Sequence, residues 1–206
     1  MGIRGEATRE KILGTAETLF LKRGYAGTSI DDILKLTGLT KGGFFYHFSN
    51  KPALGIAVLE RYASQDFELF ESLSEQADAA SEDPLESLLI FLELFEAHID
   101  GLKEPPMGCI FASYLYEVEH FSEEVRRFIA DGFEYWGDMY VRRIESVMAL
   151  YPPRIPVKPR ELSQMIMCVI EGGFILSKSL KDPKVTSVAS KHFRQYLQLL
   201  FDPIRH

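Results

Sequence analysis

Residues 28–54 read TSIDDILKLTGLTKGGFFYHFSNKPAL, and this stretch decides the fold. Ser29 stands three residues before Asp32 as a short-side-chain capping box, and Ile30, Ile33 and Leu34 then share one helical face. Gly38 follows the last periodic residue, where a left-handed turn costs least, and two residues later Thr40 is placed to cap a second helix running through Phe48. Two short helices around a glycine turn predict a helix-turn-helix. After the break at Ser49, Asn50 caps a third helix, which puts Lys51 in a first turn where the macrodipole disfavours a cation by a few tenths of a kcal/mol.

The second helix carries Gly42 and Gly43 in its first turns, at a cost of about 1 kcal/mol each relative to Ala. Such a cost implies that something approaches the backbone there. Thr40, Lys41, the two glycine N–H groups, Tyr46 and His47 together suit phosphates at a helix N-terminus and base edges in a major groove. Phe44 and Phe48, four apart, face inward. A phosphate near Lys51 would reverse the sign of its dipole interaction. Spacing alone also suits an ordinary corner between bundle helices, with a solvated lysine and two tolerated glycines.

The segment from about Thr8 to Leu54, through GYAGTSIDDI (24–33) and LTKGGFFYHFSNKPAL (39–54), resembles the DNA-binding domain of the tetracycline-repressor (TetR) family. Carried over position by position, the resemblance implies phosphate and base contacts at Ser29, Thr40, Lys41, Gly42, Tyr46, His47 and Lys51, with Gly43 and Phe45 on the same helix. Phe45 departs from the pattern, since the family often has a tyrosine there whose hydroxyl meets a phosphate.

At 206 residues and 46% hydrophobic content, the chain is long enough for a small DNA-binding unit and one larger domain. Its net charge of -7 argues against general coating of nucleic acid. The sign is uneven: residues 1–55 hold eight Lys and Arg against five Asp and Glu, a balance of +3, which leaves -10 for the remainder. A modest positive end on an acidic body suits site-specific binding. The charged N-terminal MGIRGEATREKIL lacks an apolar run of signal-peptide length, and the longest apolar stretch, Met165 to Leu176, is broken by Glu171. The expectation is a cytoplasmic protein with no membrane partner. Cys109 and Cys168, far apart in apolar surroundings, read as buried reduced thiols.

Helical periodicity runs through the rest of the chain. Ile12, Ala16, Leu19 and Phe20 mark a packing helix from about Glu6 to Arg23, and Ile56 to Ala80 forms one long connecting helix with the geometry of a lever. Ala77 to Pro84 reads as a loop. Further helices follow at about Leu85 to Gly101, Val125 to Val147, Arg160 to Leu180 and Val185 to Phe201. Pro105 and Pro106 end the first of these, and Pro152, Pro153, Pro156 and Pro159 form the clearest linker. Strand-like alternation and repeats of 20 to 50 residues are absent. The fold class is all-α: an N-terminal three-helix helix-turn-helix domain at 1–50, and a larger C-terminal helical ligand-binding and dimerisation domain at 51–206. The resemblance implies about nine helices and a dimer formed by the last two.

Gly172 and Gly173 inside the penultimate helix suit a close crossing by another helix backbone, which places a dimer seam there with Leu176. Phe193, Tyr196, Leu197 and Leu200 extend that seam along the last helix, though each serves equally well in an intramolecular core. A second set comes from four helical stretches: Phe91, Phe95 and His98; Met107, Cys109, Phe111 and Tyr114; Phe133, Trp136, Met139 and Tyr140; and Met165. Large, soft and aromatic side chains in such number suit an apolar cavity or a filled core. Gly108 and Ala112 leave space beside them, and the resemblance implies a ligand between these helices.

The sequence has no GxSxG, no phosphate-cradling GxxxxGK[ST], no HExxH and no paired CxxC. Glu117-Val118-Glu119-His120 has the Glu and His spacing of a di-metal carboxylate site but no second such pair, and reads as an exposed helix end. No enzyme activity, metal or cofactor is expected. The expected function is a homodimeric, sequence-specific DNA-binding transcriptional regulator that binds a palindromic operator. The resemblance implies a repressor, released by a small apolar or aromatic effector. The rival is a helical-bundle ligand carrier or enzyme with an incidental helix-turn-helix.

Overall fold

The computed structural model describes residues 3–102 and 108–201. Nine α-helices and no strand occur among the described residues: α1 Ile3–Arg23, α2 Ile30–Thr37, α3 Lys41–His47, α4 Lys51–Ala80, α5 Pro84–Asp100, α6 Ile110–Leu115, α7 Glu123–Leu150, α8 Pro159–Leu180 and α9 Val185–Phe201, with a 3-10 turn at Val118–His120. The expected all-α class and helix count stand. Among the described residues no helix is long and apolar enough to cross a membrane.

Two compact units share the chain: Met1–Phe67 with Cys109–Gly132, and Glu68–Gly108 with Phe133–His206. The expected boundary at residue 50 falls inside the first of them. That unit is also discontinuous, because α6 and the start of α7 belong with the helix-turn-helix.

In the first unit Ile12, Leu13, Ala16, Ile33, Phe44 and Leu54 are fully buried, so α1 to α4 close on one small core. A core that small leaves α1 and its following turn half covered. Aromatics from α6 onward complete it: Tyr114 and Phe121 stack at 4.5 Å between ring centres, and Tyr25 meets Phe121 at 4.6 Å and Phe20 at 5.3 Å. The Tyr114 hydroxyl donates to the Gly55 carbonyl at 3.0 Å, which gives this buried hydroxyl an acceptor. On the other side of α1, the Arg61 guanidinium spans Glu10 and Glu17.

The second unit is layered on Phe95, Phe70, Phe91 and Tyr140, with successive ring centres 5.8–6.0 Å apart. Asp83 caps α5 by accepting the Leu85 and Glu86 N–H groups, each at 2.9 Å, and Pro84 follows at the first helical position. The loop expected at 77–84 is therefore short, since α4 continues to Ala80. Buried polar pairs fix the helix register. Glu96 on α5 receives two N–H groups of Arg194 on α9, while the Ser177 and Thr186 hydroxyls meet at 3.0 Å between α8 and α9.

Candidate functional site

The helix-turn-helix is built by local chemistry. Asp32 N–H donates to Ser29 Oγ at 3.1 Å, and the Ser29 N–H returns a bond to the Asp32 carboxylate at 3.0 Å, closing the capping box. The Ser29 hydroxyl, which donates to the same carboxylate at 2.6 Å, and then the Ser29 N–H hold the Asp32 carboxyl below its usual range. Gly38 takes φ +70°, a left-handed turn that a β-carbon would strain. Thr40 Oγ1 accepts from Gly43 N–H at 3.1 Å to start α3, and Asn50 Oδ1 accepts from Ala53 N–H at 2.8 Å to start α4.

These caps set one exposed face. A groove lined by Ala26, Thr28, Ser29, Ile30, Asp31, Lys41, Phe45 and Lys51 gathers four of the nine residues expected to meet DNA. Thr40, the cap of α3, and Gly42 and Tyr46 on it are exposed as well, Tyr46 at 74%. Nothing lies within 4 Å of a β-carbon built at Gly42, so this stretch of backbone is open to an incoming partner. Gly43 is half-buried against its own cap. His47 is half-buried too, with its ring edge-on to Tyr46. Phe44 and Phe48 turn inward and are buried, as their spacing predicts.

Lys51 is held rather than free. Its ammonium lies 4.3 Å from the Tyr25 ring centre; burial pushes its pKa down, and the Glu117 charge pulls it back up. Lys41 pairs with Asp31 at 3.5 Å, both side chains being more than 70% exposed, so that this pair is worth little. Glu117 is the residue that sequence reasoning misplaced. It is half-buried and accepts the Ala26 N–H at 2.5 Å, whereas His120 is exposed as expected.

The expected pocket set is split between the units. Cys109, Phe111 and Tyr114 are buried in the first, where Phe111 packs on Tyr62, Phe128 and Gly132. Phe91, Phe95, Trp136, Met139 and Tyr140 are buried in the second, and half-buried Phe133 lies edge-on to Trp136. Within that group the Tyr140 hydroxyl is buried without a hydrogen-bond partner, and burial pushes its pKa up. His98 and Met165 are exposed, and Met107 lies outside the described residues. Periodicity shows that a residue is apolar and on a face; it does not show which neighbour covers that face.

The expected seam also divides. Gly173 meets Thr186 of its own chain, and Phe193, Leu197 and Leu200 are buried in the protomer, which corrects their reading as seam residues. Tyr196 is half-buried. Gly172 is open, and Leu176 is 50% exposed in a stripe with Met165, Cys168 and Ile175 on α8. Val188 and Leu199 are similarly exposed on α9. The expectation that Cys168 is buried is therefore wrong; Cys109 is buried. Among the described residues no group of three or more His, Cys, Asp or Glu is disposed to hold a metal ion.

Residues 12–58 match the description of bacterial regulatory proteins of the tetR family, and residues 84–193 match the tetracyclin repressor-like C-terminal domain. The chain is 30% identical over 187 residues to the uncharacterized HTH-type transcriptional regulator YxaF of Bacillus subtilis (strain 168), covering 88% of this chain and 90% of that protein. It is 43% identical to the HTH-type transcriptional repressor NemR of Escherichia coli (strain K12), over 67 residues that make up 32% of this chain and 34% of NemR. Among solved structures, a TetR transcriptional regulator from Chloroflexus aurantiacus J-10-FL superposes with a TM-score of 0.79 at 26% identity, over 97% of this chain and 98% of the other.

Proposed function

The chain belongs to the tetR family of bacterial regulatory proteins, and from that premise we propose that it is a homodimeric repressor of a palindromic operator, released by a small, mostly apolar or aromatic effector. DNA binding itself goes with the family, whose members among the relatives are HTH-type transcriptional regulators. The groove that gathers Ser29, Lys41, Phe45 and Lys51 beside the open backbone of Gly42 carries the assignment of the interface. Lys41, Lys51, Ser29 and Thr40 meet phosphates there, and Tyr46 and His47 reach base edges.

We place the effector among Phe91, Phe95 and Tyr140 of the second unit, where the unpartnered Tyr140 hydroxyl supplies a polar handle in an aromatic shell. The copies meet through Gly172, Ile175 and Leu176 of α8 and Leu199 of α9, the apolar positions that the protomer leaves uncovered. Effector binding shifts DNA affinity only by its difference in affinity between the two states. The relatives support this reading over a ligand carrier or an enzyme, being named as regulators. Selecting bound sites from random duplex DNA with the purified protein should return an inverted repeat. A recovered site without two-fold symmetry overturns the dimeric reading.

A further inference from the structure

The turn from α1 to α2 forms one wall of the DNA-facing groove, through Ala26, Thr28 and Ser29. Part of it is stitched by its own chain: Thr28 N–H donates to the Tyr25 carbonyl at 3.2 Å, and the Thr28 hydroxyl donates to the Gly24 carbonyl at 2.9 Å. Ala26 N–H has no such local acceptor. It donates instead to the Glu117 carboxylate, 91 residues away on the segment between α6 and the 3-10 turn. The carboxylate also fits against Gly24, whose φ of +79° and missing β-carbon leave the room it occupies; a β-carbon there would overlap the Glu117 Oε1. Glu117 is thus an acid brought from outside the helix-turn-helix to this turn, beside Tyr25 and the Lys51 ammonium stacked on it.

An acid behind a phosphate-binding groove works against binding through its long-range charge. Its presence there calls for a compensating role, and the contacts give one. We propose that Glu117 is a positioning residue for DNA binding: its carboxylate holds the Gly24–Ser29 turn, and through Tyr25 the Lys51 head, in the arrangement that meets the operator phosphates. The hydrogen bond is charge-assisted, and the charge of the same carboxylate opposes the burial that lowers the pKa of Lys51 where it stacks on Tyr25, so two elements of the groove feel one side chain. Because Glu117 lies in the part of the first unit that follows α6, any rearrangement of residues 109–122 reaches the groove by releasing one bond.

The inference rests on the groove being the DNA interface, and the test separates the two. Operator affinity and its salt dependence are measured for full-length wild type, Glu117→Ala, Glu117→Gln, Lys51→Ala and the Glu117→Ala/Lys51→Ala pair, with thermal melting of each DNA-free protein. Glu117→Ala should weaken binding about tenfold, the scale of one charge-assisted hydrogen bond. Glu117→Gln should recover most of that loss, since its amide oxygen still accepts the Ala26 N–H, and the double variant should lose less than the two single losses combined. A general loss of fold predicts instead that affinity follows the melting temperature and that Gln gives no rescue, which overturns the proposal. So does Glu117→Ala binding within twofold of wild type while Lys51→Ala is weakened. If Lys51→Ala also binds like wild type, the groove itself is misassigned. Amide exchange at Ala26 gives a check without DNA: it should quicken at least about tenfold in Glu117→Ala, and unchanged protection overturns the brace.

Discussion

Gly173 on α8 lies so close to Thr186 on α9 that a β-carbon at Gly173 would come within 2.9 Å of the Thr186 Cα. The close crossing implied by paired glycines is therefore inside the protomer. Gly172, one residue earlier, has nothing within 4 Å and faces out. Gly173→Ala should destabilise the protein by about 1–3 kcal/mol through forced separation of the two helices. In a monomeric background, where the seam is open and a β-carbon at Gly172 meets nothing, Gly172→Ala should stabilise the helix by up to about 1 kcal/mol. Denaturant melts of the DNA-free variants check both signs, and equal effects would count against a tight crossing at Gly173.

The seam is better tested away from Gly173. Leu176 is half exposed in the protomer, so Leu176→Glu should leave the far-ultraviolet spectrum unchanged and convert the dimer to a monomer at micromolar concentration. Operator binding should fall with it, because two linked half-sites become one. Sedimentation of the variant as a dimer places the seam elsewhere.

At the DNA face, Lys51→Ala should weaken binding to all sequences and reduce the salt slope by about one. Lys41→Ala should in addition change base preference, being on α3 itself. Phe45→Tyr places a hydroxyl in the same groove and should tighten binding by adding a phosphate donor. Titrations at several salt concentrations decide all three.

Tyr140→Phe should raise the stability of the effector-free protein by about 1 kcal/mol, since it removes a buried hydroxyl that has no partner. The same change should weaken whatever effector uses that hydroxyl. A destabilised Tyr140→Phe would mean that the hydroxyl is already satisfied and is no handle.

Asp83 gives a pH signature. The Tyr151 hydroxyl and then the Glu86 N–H hold its carboxyl below the usual range. A carboxyl depressed in the folded state contributes stability that is fully present above its unfolded pKa and is lost as pH falls through the folded value. Asp83→Asn keeps a capping oxygen and loses the charge, so its stability should fall less steeply than wild type below about pH 4. Melting temperatures at stepped pH read the difference. Parallel acid limbs for the two proteins would remove Asp83 from the account.

Legibility followed range along the chain. The caps at Ser29, Thr40 and Asn50 and the turn at Gly38 were readable because each closes within about four residues, and their geometry is as the residues imply. The longer helices of both units were readable from periodicity for the same reason, whereas α6, at six residues, was too short to show a period. What could not be read was the identity of the neighbour. Phe193 and Leu197 fall on an apolar face whether α9 packs on its own chain or a copy, and Tyr114 is as aromatic in a pocket as against Tyr25. Glu117 was least legible, since only the fold brings it to Ala26. Gly24, with φ +79° after the last turn of α1, is explained by the turn alone and does not name what packs against it.

The discontinuity of the first unit bears on inheritance. A helix-turn-helix encoded by the codons for residues 1–50 looks like a cassette that recombination can exchange between regulators, giving old effectors new operators. In this chain a crossover at that point would part Phe20 and Tyr25 from Tyr114 and Phe121, and Ala26 from Glu117. A functional exchange has to carry two separated gene segments, or find a recipient whose counterpart of residues 109–132 already suits the new head.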